Sequence, residues 1–392
     1  VEVAEHSLAV LGVVLFVGLL VPELLARFRI PFATSLILVG AVLGPHGFDR
    51  IRVDDTLTLF AFLGATFQML LAGIEAGGLG IRPAERANIL PFLGGGVLPA
   101  VMGAGLAAAF GLGWTGALLT ASVFMSSSIL MVFSMSEHAS IGSYALVRRL
   151  KSATVLWEIS SALLAFILLK LVDPHPRFSL PILVGLVVSF VIFLRLFVPE
   201  IISYAFAKFR PRAGAESERR LRFTLALLLV VLVLFTGLDV PPVVAAFLVG
   251  FALASARDTD VVQEKLHLVG YALFIPVFLF VVGLEVDLTI LLEPDVRTLA
   301  VAAFVVTAIF SKFGGNYLAT GRLGFTARER TVFSLASTAK LTIPITTTYA
   351  ALKAGIVPPA FLSGTVIVSI VTSVMVPALL GLLTPSSETT DA

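Results

Sequence analysis

The sequence predicts an all-α polytopic membrane protein with about 13 transmembrane helices. These form two inverted-topology repeats of six helices with crossed, interrupted helices. Three observations carry that expectation. The 392 residues are 58% apolar and 13% charged, with a mean hydropathy of +1.03; a soluble domain is nearer half apolar and a quarter charged. Apolar stretches near the roughly 20 residues that cross a bilayer follow one another along the chain with short connections. Three landmarks recur at a shift of 210 positions.

Composition also excludes classes of function. A net charge of +2 does not suit a nucleic-acid partner, and the absence of cysteine removes disulfides and thiolate metal sites. The five histidines, His6, His46, His138, His175 and His267, are scattered without metal-ligand spacing. No cofactor is expected. No catalytic constellation stands out, so the chain does not read as an enzyme.

Taken in order, the predicted spans lie near 7–26, 31–47, 57–77, 88–111, 115–135, 150–172, 179–206, 219–237, 241–256, 268–286, 298–320, 328–350 and 357–383. Basic residues cluster in the odd-numbered connections: Arg27, Arg29, Arg82, Arg86, Arg148, Arg149, Lys151, the stretch from Lys208 to Arg222, Arg257, Lys265, Arg322, Arg328 and Arg330. The even-numbered connections carry only Arg50, Arg52, Arg177 and Arg297. The positive-inside rule puts the odd loops in the cytoplasm. The N-terminus is then outside and the C-terminus inside.

The repeat is read from three pairs. Pro31 with Leu38-Val39-Gly40 returns as Pro241 with Leu248-Val249-Gly250; Gly73-Ile74-Glu75 returns as Gly283-Leu284-Glu285; Ser127-Ser128 returns as Ser337-Thr338. Residues 1–172 are then the first six-span repeat, 173–217 a linker span with a cytoplasmic loop, 218–383 the second repeat and 384–392 a short polar tail. A shift of seven spans turns the second copy over in the membrane. Inverted repeats mark secondary transporters, whose alternating access exchanges the conformations of two related halves.

Transporter sites form where helices are interrupted near the midplane. Span five carries Ser126-Ser127-Ser128 and span twelve carries Ser337-Thr338-Ala339-Lys340-Leu341-Thr342-Ile343-Pro344. Hydroxyls and freed carbonyls are hard ligands suited to a small cation. Read singly, each run also fits Ser and Thr back-bonding inside an intact helix; the matched location in both halves favours a site. The Gly103-Ala104-Gly105 stretch reads as helix packing rather than a dinucleotide fingerprint.

An ionisable group inside a span is costly, roughly 2.5–3.5 kcal/mol on insertion scales, and marks function. Glu158 lies about eight residues into span six, roughly 12 Å along the helix. A carboxylate there holds a proton or a metal cation, but not both, which is antiport in its simplest form. Lys312 is deep in span eleven, where it either releases a proton itself, pairs with Glu158 or plays a structural part. Lys340 sits in the interrupted stretch, where its charge offsets the negative end of a half-helix. Glu75 and Glu285 lie at the ends of spans three and ten, and Arg195 and Glu200 flank Pro199 in the linker span.

With these residues in place, the chain resembles the monovalent cation:proton antiporters of the sodium/hydrogen exchanger fold, in the branch of bacterial sodium antiporters and potassium-efflux systems. The motifs are Ile30-Pro31 to Leu43-Gly44-Pro45, Leu71-Ala72-Gly73-Ile74-Glu75, Ser126-Ser127-Ser128 and Val281-Val282-Gly283-Leu284-Glu285-Val286-Asp287-Leu288. The resemblance implies a homodimer, a dimerisation domain of about spans 1–3 and 8–10, and an elevator-type core domain of about spans 4–6 and 11–13. It places Trp157-Glu158 where electrogenic members carry Asp-Asp. Glu158 keeps the essential carboxylate, and Trp157 replaces a carboxylate with a ring that cannot ionise. Lys312 resembles the core lysine that pairs with the first Asp in electrogenic members. Lys340 and Thr342 fall where many members carry Arg and Glu.

The expected function is therefore electroneutral exchange of Na⁺ or K⁺ for a proton across a bacterial or archaeal cytoplasmic membrane, with Glu158 holding either ion. Ser126, Ser127, Ser128, Ser161 and Thr338 are candidate oxygen ligands. Two alternatives stay open: a sodium-coupled organic-anion symporter using Lys312 and Lys340, and a channel-like or non-transporting relative.

Overall fold

The computed structural model describes residues 2–26, 30, 32–78, 88–129, 131–132, 135, 142–172, 178–179, 181–186, 188–189, 192–193, 196–197, 216–237, 240, 242–254, 260–287, 289 and 296–383. The polar tail, Arg195, Glu200 and several basic residues of the odd connections lie outside them. The described residues are mainly helical, with no strand among them.

The helices are α1 (Glu2–Ala26), α2 (Phe32–Leu43), α3 (Asp55–Gly78), α4 (Ile89–Ala109), α5 (Gly113–Met125), α6 (Tyr144–Val172), α7 (Glu216–Gly237) and α8 (Pro242–Leu253). There follow α9 (Asp260–Val269, continued through Gly270–Phe274 into Ile275–Leu284), α10 (Val296–Thr320), α11 (Ala327–Ser337), α12 (Thr342–Lys353) and α13 (Pro359–Leu383). Among the described residues, six stretches are long and apolar enough to cross a membrane: Asp55–Gly77, Ile89–Ala109, Tyr144–Val172, Gln263–Leu284, Thr298–Thr320 and Pro359–Leu383. Shorter apolar helices include Phe32–Leu43, Gly113–Met125 and Pro242–Leu253. Large apolar side chains such as Phe310, Leu318 and Val233 remain exposed, as expected when lipid rather than water covers the surface.

The chain divides into two compact units. One comprises Val1–Thr58, Ile81–Ala165 and Leu279–Ala392; the other comprises Leu59–Gly80 and Phe166–Phe278.

In the first unit, α4 runs against α5, and α10 packs on α4, α11 and α13. The turn between α4 and α5 needs glycine: Gly111 and Gly113 adopt φ of +70° and +65° around Leu112. Gly103 on α4 sits where an added Cβ would meet the Phe124 ring at 2.8 Å, so this stretch is a packing surface. Helix α4 also contains a π-helical turn, Leu93–Val97, whose Gly94 backbone abuts that of Gly315 on α10.

Two glycine contacts use the repeat residues. Gly40 of α2 abuts Gly283 of α9 within the first unit; within the second unit, Gly73 of α3 abuts the Phe247 backbone of α8, and Gly250 of α8 abuts Leu70. Adding 210 to Gly40 and to Gly73 gives Gly250 and Gly283. The same four small positions thus make both close helix approaches, as membrane helices do where backbones must meet.

Helix boundaries differ from the predicted spans in an informative way. Helix α6 begins at Tyr144 rather than near 150, and α9 at Asp260 rather than near 268. Hydropathy marks where lipid begins; the helices continue past it, through polar turns.

Candidate functional site

The site lies in the first unit, where two helices stop short. Helix α5 ends at Met125, and Ser126 turns extended at φ −61°, ψ 160°. Helix α11 ends at Ser337, and α12 begins at Thr342. Pro344 falls in the first turn of α12, where a missing N–H leaves no helix bond unmade.

The two interruptions bond to each other. Ser127 Oγ donates to the Ser337 carbonyl at 2.7 Å, and the Ser128 N–H donates to the Ala339 carbonyl at 2.7 Å. Ser127 and Ser337 are the repeat partners, 210 positions apart.

The open end of α5 attracts both buried lysines. Lys340 Nζ donates to the carbonyls of Val123, Phe124 and Ser126 at 2.9, 2.8 and 2.8 Å. Lys312 Nζ, from α10, donates to the Met125 carbonyl at 2.5 Å. Both lysines are fully buried. Ammonium groups on the last carbonyls of a helix oppose its negative end and satisfy acceptors that lipid would leave unmet.

Glu158 is 1% exposed on α6. Its neighbour Trp157 is also fully buried, and Lys312 Nζ stands 4.0 Å from the centre of its ring. Lys312 is therefore held by a ring face and a carbonyl, at the position where the resemblance implies a carboxylate partner.

Most of the candidate hydroxyls are already engaged with backbone. Ser126 Oγ donates to the Val123 carbonyl at 2.9 Å and Thr338 Oγ1 to the Leu335 carbonyl at 2.7 Å; both finish their own helix ends. Ser128 Oγ accepts from the Met131 N–H at 3.4 Å. Ser161 Oγ donates to the Ser122 carbonyl at 2.8 Å, while Ser122 Oγ returns a bond to the Ser161 carbonyl at 2.9 Å, joining α6 to α5. A hydroxyl that donates to a carbonyl keeps lone pairs for a cation.

Other residues here were not singled out from the sequence. Thr154 lies one turn before Glu158 on α6, and Asn316 one turn after Lys312 on α10. Asn316 Nδ2 donates to Ser337 Oγ at 2.7 Å. Thr154 Oγ1 and Asn316 Oδ1 are buried and take no hydrogen bond among the described residues. Their signal was a polar side chain four positions from each buried charge in an otherwise apolar run. Glu75 lies in the second unit. Glu285 lies away from the crossing, paired with Lys353 at 2.6 Å.

Unwound backbone beside buried charge at mid-span is how membrane carriers build ion sites, and this defines the class: a secondary ion transporter. Similarity to known proteins narrows it. The family described as "Sodium/hydrogen exchanger, transmembrane" matches residues 12–383, and the chain belongs to that family. It is 25% identical over 377 residues to "Probable Na(+)/H(+) antiporter 3" of Methanocaldococcus jannaschii, covering 95% of each protein. It is 23% identical to the "Na(+)/H(+)-K(+) antiporter GerN" of Bacillus cereus, covering 91% of each. Among solved structures, the fold is similar to that of the sodium proton antiporter MjNhaP1 from Methanocaldococcus jannaschii, with a TM-score of 0.68 at 17% identity over 96% of each chain. The chain is thus an integral membrane protein of the Na⁺/H⁺ antiporter family, whose business is cation and proton exchange.

Proposed function

We propose that the protein exchanges one proton for one Na⁺ or K⁺ electroneutrally, with Glu158 holding each in turn. The observation that carries this reading is a fully buried carboxylate on α6, next in sequence to the ring that packs on Lys312, in the unit where two lysines hold the end of a broken helix. One carboxylate can be neutralised by either ion, and Trp157 adds no second titrating group. With one positive charge moved each way, no net charge crosses. Thr154 joins Ser126, Ser127, Ser128, Ser161 and Thr338 as a candidate oxygen ligand, since its hydroxyl lies one turn from Glu158.

Lys312 and Lys340 are supporting charges in this scheme. A carried organic anion would require both to release the carbonyls that they hold, which favours cation exchange over anion symport. The potassium option draws on the printed name of GerN.

The reading extends to the whole molecule as proposals. The Ser127–Ser337 bond and the reciprocal glycine contacts support two inverted six-span repeats. Basic residues at odd connections support an outside N-terminus and a cytoplasmic C-terminus. A homodimer formed through spans 1–3 and 8–10, with spans 4–6 and 11–13 moving as an elevator, follows from the family likeness.

The test is reconstitution in proteoliposomes. Glu158→Gln should abolish proton movement evoked by Na⁺ or K⁺ while the variant unfolds at a similar temperature. Undiminished exchange by that variant would remove the mechanism. Wild-type exchange should also ignore an imposed membrane potential.

A further inference from the structure

Trp157 sits on a surface shaped for a flat ring. A Cβ added at Gly95 would lie 2.5 Å from Trp157 Cζ2, and one at Gly96 would lie 2.7 Å from Cδ1. Both glycines belong to the π-helical turn Leu93–Val97 of α4. Phe333 of α11 closes another side edge-on, with ring centroids 6.4 Å apart at 83°. The remaining face of the indole meets the Lys312 ammonium at 4.0 Å. The indole N–H makes no hydrogen bond among the described residues, so the ring is not held in place through its polar atom.

We propose that Trp157 is the positioning residue for Lys312: its indole face takes the place of an anionic partner and holds the ammonium against the Met125 carbonyl at the end of α5. A ring attracts a cation through its electron-rich face, most strongly where water is excluded, and tryptophan is the strongest of the aromatic side chains at it. Unlike a carboxylate, it never binds a proton. Lys312 is thereby tied down on two sides by groups that do not titrate, and no second acid competes for the exchanged ions. The positioning stands on geometry alone; only its consequence for transport rests on the exchange reading above.

Fluorination withdraws electrons from the ring face with little change in size, so it separates cation attraction from packing. The chain has two tryptophans, and Trp114 is exposed; Trp114→Phe leaves Trp157 as the only site of incorporation. In the full chain in detergent, a series of increasingly fluorinated tryptophans should lower the melting temperature stepwise, by about 2–5 °C across the series. In Lys312→Met the same series should be flat. A flat response with Lys312 present, or equal slopes in both proteins, would overturn the proposal.

Transport supplies a second readout. Trp157→Phe should keep the half-saturating Na⁺ concentration within about threefold, while Trp157→Leu should raise it by about tenfold or more. Equal values for the two variants would refute the transport consequence. If Glu158→Gln still exchanged while the fluorination slope held, the exchange reading would fail and the clamp would stand.

Discussion

The two helix breaks carry the same hydroxyl motif but are finished with opposite electrical character. At the first, four consecutive carbonyls from Val123 to Ser126 receive ammonium donors, three from Lys340 and one from Lys312. At the second, the carbonyls are met by neutral groups: Leu335 by Thr338, Ser337 by Ser127, and Ala339 by the Ser128 N–H. Even the Lys340 backbone N–H is neutralised locally, donating to Thr372 Oγ1 at 3.2 Å. Two halves with matching polar sequence thus build one charged end and one uncharged end. The two lysine side chains are gathered on one helix terminus, and the proposed exchange site is expected at that end.

The largest effect should come from the charged end. Lys340→Met leaves the buried Phe124 and Ser126 carbonyls without a donor, while Val123 keeps the Ser126 hydroxyl, and should cost about 2–6 kcal/mol, about 1–3 for each acceptor left unmet. Denaturant unfolding in detergent would read it, and a loss below about 1 kcal/mol would break the comparison. Next comes the support behind Lys312. Gly95→Ala drives a methyl to 2.3 Å from Asn316 Oδ1 and 2.5 Å from Trp157, and should cost about 1–3 kcal/mol through overpacking. Calorimetry of this variant would read that cost; Asn316 also donates to Ser337 Oγ, so the variant presses on both breaks.

The neutral end should respond less. Ser127→Ala removes one bond to the Ser337 carbonyl and should cost about 1 kcal/mol, measured by the same unfolding assay. The smallest effect belongs to Glu329, at the exposed start of α11. Its hydrogen bond from Ser143, at 2.6 Å, and the capping box with Thr326 hold its carboxyl below the usual 4.5. A depressed acid stabilises the fold above its unfolded value and loses that contribution as pH falls through the folded value. Glu329→Gln should therefore lower stability slightly at neutrality and flatten the small loss below pH 4.5, so that the two proteins converge in acid.

Much of this site was legible in the sequence because lipid makes polar residues conspicuous. The hydroxyl runs at Ser126–Ser128 and Ser337–Thr338, and the charges at 158, 312 and 340, stand out in spans that are otherwise apolar. Lys340 was expected to offset a half-helix end, and its Nζ lies on three such carbonyls. What was not legible is pairing through space. Hydropathy does not say that Lys312 faces Trp157, since that contact depends on how α10, α6 and the π-helical turn of α4 pack. Nothing in the sequence singles out Gly95 and Gly96; their role appears only when the indole lies against them. Helix ends were misjudged at Tyr144 and Asp260 for a related reason, because the bilayer ruler measures apolarity and not hydrogen bonding.

The central claim, one buried carboxylate shared in turn by two ions, is tested most directly by measuring the half-saturating Na⁺ concentration of reconstituted protein as a function of pH. Competition for a single group predicts a rise of about tenfold for each pH unit of acidification on the acidic limb, with the maximal rate unchanged. A half-saturating concentration that stays constant while the maximal rate alone changes with pH would contradict it.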